Sequence, residues 1–131
     1  MIQEEKELLL KDLCARLPYG VICTDSRHGN SRITEVDIVD ETVYCYDFDE
    51  YSEIKHIKLH LRPMSSMTEE EKEYLQTLHN IISDENYGDG FSPTAWNAIS
   101  LFNDYCHKRH LDNAGLIEKD LALPAAENMY K

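Results

Sequence analysis

The sequence predicts an α+β fold: an N-terminal helix, an antiparallel meander of about four strands, and two C-terminal helices packed on one face. Three observations carry this expectation. Leucines recur at steps of three and four near the start, at Leu9, Leu10, Leu13 and Leu17. Apolar residues then alternate with polar ones between Thr34 and Arg62. Finally, Thr68-Glu69-Glu70-Glu71 stands directly before an apolar stripe of helical period. A spacing of three and four marks one face of a helix, and strict alternation marks a strand with one wet face.

In chain order, residues 2–17 predict an amphipathic helix, with Glu4, Glu5 and Glu7 near the positive end of its dipole and Pro18 ending it. Val21–Thr24 is short and β-rich, and Ser26–Ser31 is a connector of turn formers. Thr34, Val36 and Ile38 are expected on the inner face of one strand, and Thr42, Tyr44, Tyr46 and Phe48 on the inner face of the next. A further strand, Lys55–Arg62, turns Ile57, Leu59 and Leu61 inward and His56, Lys58, His60 and Arg62 outward.

Thr68 and Glu71 are spaced as a capping box: the hydroxyl accepts from the amide of Glu71, and the carboxylate reaches back. Tyr74, Leu75, Leu78, Ile81 and Ile82 form the buried side of the helix that follows. After the loop Ser83–Phe91, Ser92-Pro93 reads as an N-cap and first-turn proline. The third helix would bury Trp96, Ile99, Phe102 and Tyr105 or Cys106. Residues 111–123 predict a turn and a short helical piece, and residues 124–131 a loosely held tail. Residues 1–131 make one domain by length.

Composition narrows the function. With 13 Lys and Arg against 25 Asp and Glu, the formal charge is -12. A nonspecific grip on nucleic acid or on an anionic membrane needs the opposite balance. The expectation is therefore a protein partner rather than nucleic acid, met through an acidic surface. No apolar run reaches the length of a membrane span, and the N-terminus lacks the basic start of a signal peptide. Cys14, Cys23, Cys45 and Cys106 lie far apart with no C-x-x-C pair, as expected of cytosolic thiols in or near the core. An exposed sheet edge leaves room for a homo-oligomer.

Three blocks resemble a known family: Leu9–Cys23 (LLKDLCARLPYGVIC), Leu61–Leu75 (LRPMSSMTEEEKEYL) and Gly115–Ala122 (GLIEKDLA). The family consists of small proteins encoded by phages, prophages and mobile elements of gut anaerobic bacteria, with no established activity. It commonly has glycine where this chain has Asp120, and a tail like E-A-P-E-G-M-Y where this chain has Pro124–Tyr130. The resemblance spans the chain and implies a setting: an accessory protein of a phage or mobile element, in a bacterial cytoplasm. It carries over no catalytic residue.

The candidate ligand site is the polar side of the last strand and its exit: His56, Lys58, His60, Arg62, Ser65 and Ser66. An arginine, hydroxyls and the free amides of a helix start are what an anion requires. The site is proposed to bind a small anion such as a nucleotide at the strand-to-helix junction 62–68, as the alternative to protein docking. The glutamates at 69–71 oppose an anion there. Equally, the stripe can be a solvated face balanced by neighbouring carboxylates. Cys106, His107 and His110 cluster at the end of the third helix, but histidine there also suits the helix dipole. Asp84–Gly90 fails the calcium-loop pattern, because the turn-glycine position falls on Asp89 and the closing-glutamate position on Ala95. No metal, cofactor or catalytic motif is assigned, and the expectation leans away from an enzyme.

Overall fold

In the computed structural model, residues 1–84, 86–87, 90–91 and 93–130 are described, with side chains described outside 85–92. The expected cap at Ser92 lies outside them, as does part of the Asp84–Gly90 loop. The fold is α+β. Helix α1 (Gln3–Arg16) leads into β1 (Ile22–Asp25), β2 (Gly29–Asp37), β3 (Thr42–Cys45), β4 (Glu50–Glu53) and β5 (Ile57–Leu61). Helix α2 (Glu69–Asp84) follows, then a two-strand ladder of β6 (Asn86–Tyr87) and β7 (Gly90–Phe91), helix α3 (Pro93–Lys108) and β8 (Ala122–Pro124).

The main sheet runs β4-β3-β2-β1-β5-β8 among the described residues. Strands β1–β4 form a meander, each antiparallel to the next, whose fourth strand is Glu50–Glu53 rather than the expected Lys55–Arg62. The chain then crosses back so that β5 pairs antiparallel with β1, and β8 joins β5 in parallel. Helix α1 covers the inner face: Leu9 and Leu13 cluster with Val21, Cys23, Ile33, Val43, Cys45, Leu59 and Leu61. Each leucine, isoleucine and valine among them contributes roughly 1.5–3 kcal/mol by burial. Helices α2 and α3 pack together over a second cluster of Leu75, Leu78, Ala98, Cys106 and Leu111.

Two strand faces differ from the sequence reading. Between Ile33 and Glu35 the β2–β3 register shifts, since Ile33 pairs with Cys45 and Glu35 with Tyr44. A bulge at this point breaks the period-two count, so Ile33 is buried, Thr34 is exposed and only Val36 of the expected trio is even half-buried. Ile38 lies past the end of β2 and is exposed. In β3 the inner residues are Val43 and Cys45, which leaves Tyr44 partly exposed and Tyr46 open to solvent. Burial favours the residues without a hydroxyl to satisfy. Trp96, expected in the core, is mostly exposed as well.

The residues expected to be loosely held make definite contacts. Ala125 N–H donates to the Leu61 carbonyl at 2.8 Å. The Tyr130 hydroxyl donates to the His60 carbonyl and accepts from Ile22 N–H. Its ring stacks on His110 at 3.6 Å between centroids. Asp120 adopts a left-handed φ of 60°, a conformation that Asp tolerates better than most side chains.

The capping box is present: Glu71 N–H donates to Thr68 Oγ1 at 3.2 Å, and Thr68 N–H donates to Glu71 Oε1 at 2.9 Å. Thr68→Ala should therefore lower stability by about 1 kcal/mol. A thermal melt reads this, and an unchanged midpoint would contradict a cap at Thr68.

Candidate functional site

The six residues of the predicted ligand site do not converge. Strand β5 divides them between two grooves, with His60 buried in the wall between. His56 closes a single 3-10 turn before β5 and meets Glu53 at 3.4 Å. Lys58 reaches Asp120 at 2.6 Å. Both line a groove of about 470 Å³ together with Thr24, Ser26, Lys55 and Lys119. Arg62 and Ser66 line the other groove, of about 730 Å³, with Lys108, Arg109, Glu70 and Glu127. Ser65 is exposed and stands on neither lining.

His60 does not stand on a wet face. It is 9% exposed, because Tyr130 and the chain around it close over that side of β5. Its Nε2 meets Thr24 Oγ1. Burial lowers its pKa from the usual 6.5, so the ring is neutral at pH 7. The neighbouring His110 is held at about 4, chiefly by burial and secondarily by the Arg16 and Arg62 guanidinium groups.

Arg62 does not present a free guanidinium to a ligand. Its Nη1 and Nη2 donate to Glu71 Oε2 and Oε1 at 2.8 and 2.6 Å, a two-pronged pair. The same two nitrogens donate to the carbonyls of Arg109 at 3.3 Å and Ser66 at 3.2 Å. Glu71 thus serves two partners, the start of its own helix and the guanidinium that ends β5. Its pKa falls to about 2, first because of the Arg62 hydrogen bonds, which outweigh burial, and then because of the Thr68 amide. The Ser66 hydroxyl donates to the Pro63 carbonyl at 2.6 Å. An internal carboxylate takes the position that an external anion would need, and the junction 62–68 is held as a structural knot.

The sequence reading missed a surface on β2–β4. Tyr44, Tyr46 and Tyr51 stand on the outward side of these strands, with Ile38 and Val39 exposed at the β2–β3 turn, Val39 at 90%. Tyr44 and Tyr51 meet edge to face at 5.0 Å. The Tyr51 hydroxyl donates to Glu35 Oε2 at 2.7 Å, and the Tyr44 hydroxyl donates to Asp49. That last bond raises the Tyr44 pKa to about 12. Arg32 lies over the Tyr46 ring at 4.8 Å. Glu50 and Glu53 belong to β4, which forms one edge of the sheet. The available signal was chemical: with Val and Cys in the opposite register, the tyrosines were the residues better suited to the wet side.

Cys23, Cys45 and Cys106 are buried, Cys14 is exposed, and all four are free thiols. Among the described residues, no group of three His, Cys, Asp or Glu is placed to hold a metal. Nor is any described helix long and apolar enough to cross a membrane. No protein-family model, curated protein or solved structure matches the chain.

Proposed function

We propose that the chain is a non-enzymatic accessory protein of a phage or mobile element that docks a basic protein segment on the outward face of β2–β4. The observation that carries this reading is the pairing of exposed tyrosines with fixed carboxylates. Tyr44 and Tyr51 hold Asp49 and Glu35 in place, while their rings stay accessible beside Tyr46. Tyrosine offers a large contact area at low entropic cost, which is why it is enriched where partners bind. A lysine or arginine of the partner would find a carboxylate and an aromatic face within one reach. Arg32 over Tyr46 is an internal instance of that contact.

Charge supports the same choice of partner. The outward side and turns of β2–β4 carry Glu35, Asp37, Asp47, Asp49 and Glu53 in a chain of formal charge -12. Such a surface attracts a cationic segment and repels nucleic acid. The alternative, a small anion at 62–68, has less support, because Glu71 already closes the Arg62 fork.

Salt provides the test. Capture of a partner from bacterial lysate by the immobilised chain should fall at least tenfold as ionic strength rises from about 0.05 to 0.5 M, where exposed charges are screened. Capture that is indifferent to salt would contradict charge as its driver.

A further inference from the structure

We propose that the groove beside β5, on the side away from the Arg62–Glu71 pair, binds a phosphate monoester through Lys55, His56, Lys58 and Lys119. In a chain with 13 Lys and Arg against 25 Asp and Glu, three lysines and a histidine line one concave surface. Distant parts of the sequence bring them there. Lys58 lies on β5, Lys55 and His56 on the turn before it, and Lys119 just before β8, which pairs in parallel with β5. Ser26 adds a hydroxyl from the turn after β1.

The cations are available. Lys119 is exposed and makes no ion pair among the described residues. Lys58 pairs with Asp120, whose side chain is 85% exposed, and Lys55 pairs with Glu53 at 3.2 Å, both more than half exposed. Exposed pairs of this kind contribute little, so a phosphate can replace the carboxylates without a large loss. Contrast Arg62, whose partner Glu71 is buried and held from two sides. Glu5 and Asp120 are the carboxylates on the lining. Glu5 is drawn toward the helix start, where its Oε1 accepts from Ile2 N–H at 3.1 Å.

Shape selects the ligand class. A volume of about 470 Å³ is that of a small-molecule site rather than of a macromolecular track. Leu123 and Ile57 give the groove an apolar wall beside the cations. Lysine ammonium groups bind phosphate as point charges, and the apolar wall suits the body of an ester. This groove adjoins the docking face on β2–β4 at Glu53, which pairs with Lys55 and His56.

Calorimetry of the full chain at low ionic strength, with adenosine monophosphate, inorganic phosphate and adenosine as probes, tests the inference. Adenosine monophosphate should bind, and adenosine should not. Lys119→Ala, which removes no internal ion pair, should weaken binding at least threefold, and Lys58→Ala with Lys119→Ala at least tenfold. Arg62→Ala, compared at a temperature where it is folded, should bind as the parent does. Absence of binding by adenosine monophosphate would overturn the site. Equal binding of adenosine, or parental binding by both lysine variants, would do the same. Loss confined to Arg62→Ala would place the ligand in the other groove and overturn it too.

Discussion

Arg62→Ala is expected to destabilise the fold by about 3 kcal/mol, the lower end of what a broken buried ion pair costs, since the arginine itself is partly exposed. Its side chain is 25% exposed, whereas that of Glu71 is 3% exposed. The variant therefore strands a buried carboxylate with only the Thr68 amide and hydroxyl-side contacts to hold it. Denaturant titration measures the loss. The pH dependence gives an independent reading. Glu71 has its folded pKa depressed from 4.5 to about 2, so its contribution is complete above 4.5 and disappears as pH falls toward 2. The parent should lose stability across that window. Because Arg62 is the first cause of the depression, the variant should lose much less there. Equal slopes in the two proteins would contradict the pairing.

The other large effect belongs to Arg16, which is fully buried. Its Nε donates to Asp12 Oδ2 at 2.7 Å, and its Nη2 donates to the Leu111 carbonyl at 2.7 Å and Asn113 Oδ1 at 3.1 Å. One guanidinium thereby ties the end of α1 to the segment after α3, and so joins the two core clusters. Asp12→Ala leaves that charge buried without its carboxylate and should cost about 3–5 kcal/mol. Replacing both partners, Asp12→Leu with Arg16→Met, should cost clearly less than the sum of the single changes, because no buried charge remains. Additive losses in chemical denaturation would show that the two residues do not act as a pair.

What could be read in the sequence was local. The leucine stripe of α1 and the Thr68–Glu71 box depend on residues within a few positions of one another, and both are found where expected. The meander was legible from alternation and short turns only as far as β3, since Glu50–Glu53 shows no apolar alternation and β5 returns beside β1. Facing did not follow in the middle strands. Thr42–Phe48 carries apolar or aromatic residues in both registers, and the bulge after Ile33 changes the parity of β2 with no glycine or proline to announce it. Nonlocal contacts decided the site. His60 is buried because Tyr130, far along the chain, bonds to its carbonyl. Lys58 and Lys119 share a groove only because β8 returns beside β5. Nothing in the spacing says that Glu71 faces both Thr68 and Arg62, so from the sequence the arginine reads as open to an external anion.

The most direct measurement of the docking proposal is a comparison of baits in one lysate at low salt. Tyr46 and Tyr51 are 55% and 57% exposed, so Tyr46→Ser with Tyr51→Ser should leave the melting temperature nearly unchanged. The same double variant should lose most of the captured partner, whereas Lys58→Ala, on the separate groove, should retain it. Full capture by the tyrosine variant, or a loss caused instead by Lys58→Ala, would contradict the assignment of β2–β4 as the docking face.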